Sequence, residues 1–398
     1  MSKKFSTVPP GALKEPEAFT LHIPDQDVDE FRTLLKLSRI GPDTFYNQQE
    51  DGRFGVSRKW LAEAKDAWLQ SDWRAVEDRV NAFPNFKAQV SNTEGHAAEV
   101  HFVALFSNRA DAKPVICMHG WPGSFLEFLP MLGLLTSKYT PDTLPYHVVV
   151  PSLPGYGLSG DARPLNAEAD MTAVTAILHQ LMLDLGFGGG YAASGGDVGS
   201  GIARNLSHYA ECKAVHVNLM MPVPTDGEIT KEYYSGPGEL EHLQRCQIWD
   251  ATGRGYAIEH GTRPATIGLV LSSNPLALLA WVGEKYIEWA DKRHPLSLEC
   301  ILECVGLYWF TSTFPRSIYP YRGLLTRTGW NSVSKETPLG YSYFSRELGF
   351  VPKAWVEKTY PNLAFYSAHD EGGHFAALEQ PESFLKDVEG FLEVAFKK

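Results

Sequence analysis

Tyr191-Ala192-Ala193-Ser194-Gly195-Gly196-Asp197-Val198-Gly199-Ser200 is the stretch on which the fold is decided. Its first four residues read as the end of a short strand. Beyond Ser200, Ile202, Leu206 and Tyr209 recur at the spacing of a helix face. Small residues crowd Asp197 on both sides. That is the pattern of a sharp strand-to-helix turn, which lifts one side chain above a sheet. The flanking glycines suit it because strand and helix approach too closely there for Cβ atoms. The start of the helix also favours an ionised carboxylate. Taken alone, the stretch fits an ordinary glycine-rich turn capped by Asp as well. A dinucleotide-binding loop needs glycines at i, i+2 and i+5 after a strand. Here Val198 stands at i+2 from Gly196, and Arg204 at i+5 from Gly199. The run from Gly188 has Ala193 at i+5 and precedes the strand.

The flanks say what kind of sheet this is. In residues 98–107, Val100, Phe102, Ala104 and Phe106 alternate onto one face. Residues 114–118, 147–150, 190–193 and 213–220 are further short β-rich runs, with a helix predicted over 172–185. Strands alternating with helices predict a mostly parallel central sheet covered by helices on both faces, an α/β fold. Residues 86–220 form its first part. Residues 221–335 turn mainly helical, with apolar helices over 276–289 and 298–313. Residues 336–398 return to strands at 340–344 and 363–367, then an amphipathic helix over 382–396. A sheet interrupted late by a helical insertion and then resumed is the order of a lidded hydrolase. Residues 1–85 form an N-terminal helical arm, with Val28, Phe31, Leu34 and Leu35, then Trp60, Ala64, Trp68 and Trp73, at helical spacing. An arm of this kind wraps the core or makes a homodimer.

Composition excludes several functions. The 398 residues are 44% hydrophobic and 21% charged, so the chain is globular. A net charge of −11 without a basic run argues against nucleic acid. Five cysteines imply no disulfide framework. Cys300 and Cys304 stand one helical turn apart without a second His/Cys pair, so no metal is expected. The longest uncharged stretch, 264–283, is broken by Thr266, Ser272, Ser273, Asn274 and Pro275 and reads as a buried helix, not a membrane anchor. No apolar run follows Lys3 and Lys4, so no signal peptide is expected and the location reads as cytoplasmic. The Asn205-Leu206-Ser207 sequon reads as chance.

Two more motifs complete a site. His119-Gly120-Trp121-Pro122-Gly123-Ser124 follows a predicted strand, where loop amides can face the turn and build part of an oxyanion hole. Glu371-Gly372-Gly373-His374-Phe375 follows the last strand and gives a histidine backbone freedom. Glu347, after the strand at 340–344, can orient that histidine. Asp370 and Glu371 rival it by charge. The order Asp197, Glu347, His374 is nucleophile, acid, histidine, as in the α/β-hydrolase triad. Asp at the nucleophile position argues against a serine esterase.

These motifs, with Pro154-Gly155-Tyr156-Gly157-Leu158-Ser159, Phe314-Pro315-Arg316 and Phe19-Thr20-Leu21-His22-Ile23-Pro24, make the chain resemble the microsomal-type epoxide hydrolases, in their soluble microbial form. The resemblance spans nearly the whole chain. It implies an α/β-hydrolase core, a helical lid, and cofactor-free hydrolysis of a small apolar epoxide by water to a vicinal diol. It implies an Asp197 alkyl ester, His374 with Glu347 activating water, and Trp121 and Val198 amides as the oxyanion hole. Tyr256, ahead of Thr262-Arg263-Pro264, and Tyr321, in Tyr319-Pro320-Tyr321-Arg322, match the family's lid tyrosines that activate the ring oxygen. Tyr319 is Tyr321's close rival. Trp121 and Pro122 are expected to touch substrate, and Leu307, Trp309, Phe310 and Phe314 to line an apolar pocket. The alternatives are a haloalkane dehalogenase, which needs halide-binding N–H donors in place of paired tyrosines, and a non-catalytic binding protein, which typically loses the nucleophile or histidine.

Overall fold

Val-, Ile- and Ala-rich segments form the nine strands of one sheet in a computed structural model that describes residues 4–161, 167–222, 226–236, 238–326 and 328–396. The arm supplies β1 (Glu17–Phe19), α1 (Asp25–Leu37), α2 (Arg58–Gln70) and α3 (Trp73–Asn81). Then come β2 (Asn85–Ser91), β3 (Ala97–Leu105), β4 (Lys113–Met118), α4 (Leu129–Lys138), β5 (Tyr146–Pro151), α5 (Met171–Asp184), β6 (Tyr191–Gly195), α6 (Asp197–Leu206) and β7 (Cys212–Val217). Among the described residues seven α-helices follow before the sheet resumes: α7 (Glu239–Thr252), α8 (Gly255–Thr262), α9 (Pro264–Ser272), α10 (Pro275–Trp289), α11 (Leu298–Phe310), α12 (Phe314–Ser317) and α13 (Pro320–Thr326). The chain closes with β8 (Leu339–Phe344), α14 (Lys353–Thr359), β9 (Leu363–His369), α15 (Ala376–Glu379) and α16 (Pro381–Ala395).

The strand order is β1-β2-β3-β5-β4-β6-β7-β8-β9. From β5 to β9 every pairing is parallel, and β1–β3 run antiparallel at one edge. This is the α/β-hydrolase fold that the strand–helix alternation predicts. Two apolar clusters cover the two faces. One holds Val174 and Ile177 of α5 and Ile202 and Leu206 of α6. The other holds Met131 and Leu132 of α4 and Phe384 and Phe391 of α16. From Val100 on, β3 is buried on both faces. Val100, Phe102, Ala104 and Phe106 join the first cluster, and Val103 and Leu105 join the second.

The arm departs from an all-helical reading, because β1 pairs with β2 and extends the sheet. Its helices also grip the lid. Phe31 meets Trp68 at 4.8 Å and Phe310 at 5.2 Å, and Trp73 meets Phe310 at 4.6 Å between ring centres. Among the described residues no single helix is long and apolar enough to cross a membrane, and α9 and α10, which pass together by composition, bend by 117° at their junction. Asn205 is buried and donates to Gly329 O at 2.8 Å, so the sequon is folded into the interior.

Candidate active site

Neighbouring parallel strands end side by side, and this register builds the site. Met118 pairs with Gly195, so the loop after β4 and the turn after β6 emerge together. Asp197 opens α6 with φ +45°, one of three described residues other than glycine at positive φ. A non-glycine residue there costs about 1–3 kcal/mol, and Asp is among the types that tolerate it best. The close approach is visible at Gly199, where a Cβ would lie 2.2 Å from Met118 O, and at Gly120, where it would lie 2.2 Å from Asp197 Oδ2.

The Trp121 amide donates to Asp197 Oδ2 at 2.7 Å. The Val198 amide also favours the charged carboxylate. Burial raises the Asp197 pKa, opposed by His374 and the two amides, and the balance stays above the usual aspartate value. His374 Nε2 stands 3.8 Å from Asp197 Oδ1, and its Nδ1 meets Glu347 Oε1 at 2.6 Å. Glu347 sits in the turn after β8, and its Oε1 also accepts from the Leu348 amide at 2.7 Å. Burial pushes the His374 imidazole down. The charge and hydrogen bond of Glu347, with Asp197 beyond, outweigh this and carry it up to about 9. The rivals face elsewhere. Asp370 pairs with Arg293, and Glu371 with His294.

The loop carrying His374 is held by two further carboxylates. Glu379 accepts from the amides of Asp291, Gly373 and Phe375 at 2.7, 2.9 and 2.8 Å. Asp291, at the end of α10, accepts from Gly372 N at 3.1 Å. The His374 amide donates to Trp289 O at 3.1 Å. Core and lid therefore position the histidine jointly.

Above Asp197 the lid forms an aromatic cage. Tyr256 lies nearly parallel to Trp121 (12°, 5.3 Å), and Tyr321 stands edge-on to both, at 5.6 Å from Trp121 and 5.5 Å from Tyr256. Each phenol shifts the ionisation of the other. Burial raises both phenol pKa values, and the Asp197 charge raises both further. Tyr319 stands apart. It packs on Tyr156 at 6.1 Å, its hydroxyl has no hydrogen-bond partner among the described residues, and Asp170 is the charge it feels.

Pro122 is buried, and its carbonyl accepts from Tyr286 of α10 at 3.0 Å. Trp309, Phe310 and Phe314 do line a groove of about 520 Å³, but it lies between the arm and the lid, with Phe31, Asp27 and Glu30 opposite. Leu307 is absent from that groove because its side of α11 turns into the core. Sequence reasoning missed Glu379, Asp291 and Glu127. Only Glu127 left a signal, because Ser124-x-x-Glu127 has the spacing of a capping box.

The comparisons with known proteins agree with this geometry. The family model described as "Epoxide hydrolase N terminus" matches residues 16–128, and that of the alpha/beta hydrolase fold matches 113–230. A Dothistroma septosporum protein, provisionally named an epoxide hydrolase, is 41% identical over 99% of this chain and 94% of its own. The epoxide hydrolase structure of Aspergillus niger superposes with a TM-score of 0.91 at 45% identity, covering 99% of this chain and 100% of that one. The juvenile hormone epoxide hydrolase of Bombyx mori shares the fold, with a TM-score of 0.84 at 23% identity over 97% and 96% of the two chains. With a relative 41% identical along almost its full length, this chain belongs to the epoxide hydrolases.

Proposed function

We propose that the enzyme opens its epoxide through a covalent Asp197 ester. One arrangement carries the reading: Asp197 in left-handed conformation, Oδ2 on the Trp121 amide, and Oδ1 3.8 Å from a histidine bonded to Glu347. The amide occupies Oδ2, so Oδ1 is the attacking atom. It bonds to a ring carbon as the carbon–oxygen bond of the epoxide breaks. Tyr256 or Tyr321 gives its proton to the departing oxygen, and the other donates a hydrogen bond. Each such donor is worth roughly 100-fold in rate.

His374 starts charged, because Glu347 and Asp197 both hold its proton. Ester formation removes the Asp197 charge, and the tyrosinate left by ring opening takes the proton. Neutral His374 then accepts a proton from water as the water oxygen bonds to Asp197 Cγ. The oxyanion forms on Oδ2, where the Trp121 and Val198 amides stabilise it. The Cγ–Oδ1 bond breaks, the diol oxygen takes the imidazolium proton, and the new carboxylic acid returns one to His374. Trp121 bounds the site with its ring, and Tyr319 is left to packing.

The test is a single turnover in heavy-oxygen water with enzyme in excess. The label is expected in the Asp197 carboxylate, with diol that is unlabelled. Diol labelled at once means direct attack by water and removes Asp197 as nucleophile. The five free cysteines support a reducing, cytoplasmic location. The exposed ring cluster of Phe45, Tyr46 and Phe54 on the arm supports a homodimer, which analytical ultracentrifugation measures.

A further inference from the structure

Behind Asp197 lies a cavity with about 20 Å³ open to the centre of a water molecule. That is room for about one water, which also needs two to four polar partners. The walls supply them: Asp197, His374, Glu127 and Asn218 all line the cavity, with Gly120 and Trp121. Glu127 and Asn218 belong to neither the triad nor the tyrosine pair.

Glu127 has a structural duty. It closes the capping box of the short turn Phe125–Phe128, accepting from the Ser124 amide through Oε1 at 3.1 Å. A cap needs no burial, and most caps face water. This one is 8% exposed, on the cavity wall shared with the histidine and the nucleophile. The chain makes room for it at Gly123, where a Cβ would lie 1.5 Å from Glu127 Oε1. Asn218 follows β7 and is 4% exposed against Gly196, where a Cβ would lie 2.8 Å from its Oδ1. Two glycines are thus spent on bringing polar side chains to this cavity.

We propose that the cavity seats the hydrolytic water and that Glu127 and Asn218 are positioning residues, holding it between His374 and Asp197 Cγ. The assignment rests on the ester mechanism and specifies where its second half takes place. Burial pushes the Glu127 carboxyl up to about 8, so at neutral pH it can donate to the water oxygen while the water gives a proton to His374. Glu127 thus acts without taking charge from the histidine.

The experiment is single-turnover quench flow with styrene oxide, following Asp197 ester formation and its decay separately. Glu127→Ala and Asn218→Ala are each expected to form ester at the wild-type rate and to hydrolyse it at least 10-fold more slowly, so ester accumulates. Glu127→Gln keeps the cap and a donor–acceptor pair, and is expected to restore hydrolysis to within about threefold. Hydrolysis at the wild-type rate in both alanine variants, or formation and hydrolysis slowed equally, overturns the assignment. If Glu127→Ala does not fold, Asn218→Ala decides alone by the same criteria. Absence of any ester in the wild type and in His374→Gln would instead defeat the ester mechanism itself, so the two failures are distinct.

Discussion

The core half and the lid half of the site are built by different means. Asp197, Glu347 and His374 stand at strand ends, with His374 bonded to Glu347 at 2.6 Å and Asp197 held on a strained turn by the Trp121 amide at 2.7 Å. Backbone geometry sets them. Tyr256 and Tyr321 sit on helices and are placed by packing of rings against Trp121. The core half is therefore rigid and intolerant of chemical change. On the proposed mechanism the two lid hydroxyls share one task, so the lid half is expected to tolerate loss of one member. Trp121 joins the halves, with its amide on the nucleophile and its ring under Tyr256.

The largest expected effect is in the core. Asp197→Asn keeps a residue that accepts positive φ but removes the nucleophile, and diol formation should fall at least about 10⁴-fold. His374→Gln comes next. It should stall after the first half-reaction, and mass spectrometry should find the peptide containing Asp197 heavier by one substrate mass. The lid should behave differently. Tyr256→Phe or Tyr321→Phe should each slow ring opening roughly 100-fold or less, and the double variant should abolish it. Equal effects of single and double variants, read by pre-steady-state alkylation, would break the comparison.

Glu379→Gln probes the joint between the halves. Its carboxylate takes three amide hydrogen bonds, and Gln sets an NH₂ against one of them, for a cost of about 1–3 kcal/mol. Denaturant unfolding measures the loss, and ester hydrolysis should suffer more than ester formation because His374 is displaced. The smallest effect is on the pH dependence of stability. Burial holds His101, His119, His147, His216, His242 and His260 at about 3 to 4. The unfolded chain binds those protons more readily, so stability should rise with pH from about 4 to about 6.5. Burial raises Glu127 to about 8 and Glu379 to about 7, and His374 stands at about 9. Here the folded state binds the protons more readily, so their contribution is full at low pH and is lost as pH rises through these values. The midpoint of thermal unfolding should therefore peak near neutrality, and a continued rise to pH 9 would contradict these shifts.

The triad was legible because each member is marked locally, by small residues around Asp197, glycines before His374 and a strand before Glu347. The lid tyrosines were legible only through family spacing, since nothing local separates Tyr321 from Tyr319. Packing does: one ring faces Tyr256 and Trp121, and the other faces Tyr156. β2 and the strand in the arm escaped the reading because pairing across the sheet, not local pattern, makes them strands. By itself the sequence determined the alternation of strands and helices, the late helical insertion and the groups proposed to react, because these follow from periodicity and from chemistry carried on short motifs. Tertiary structure alone decided which carboxylates hold the histidine loop, that Pro122 lies buried under Tyr286, and that Glu127 and Asn218 face one cavity with Asp197. The physical reason is that such meetings depend on strand register and side-chain packing between residues far apart in the chain, which no local pattern encodes.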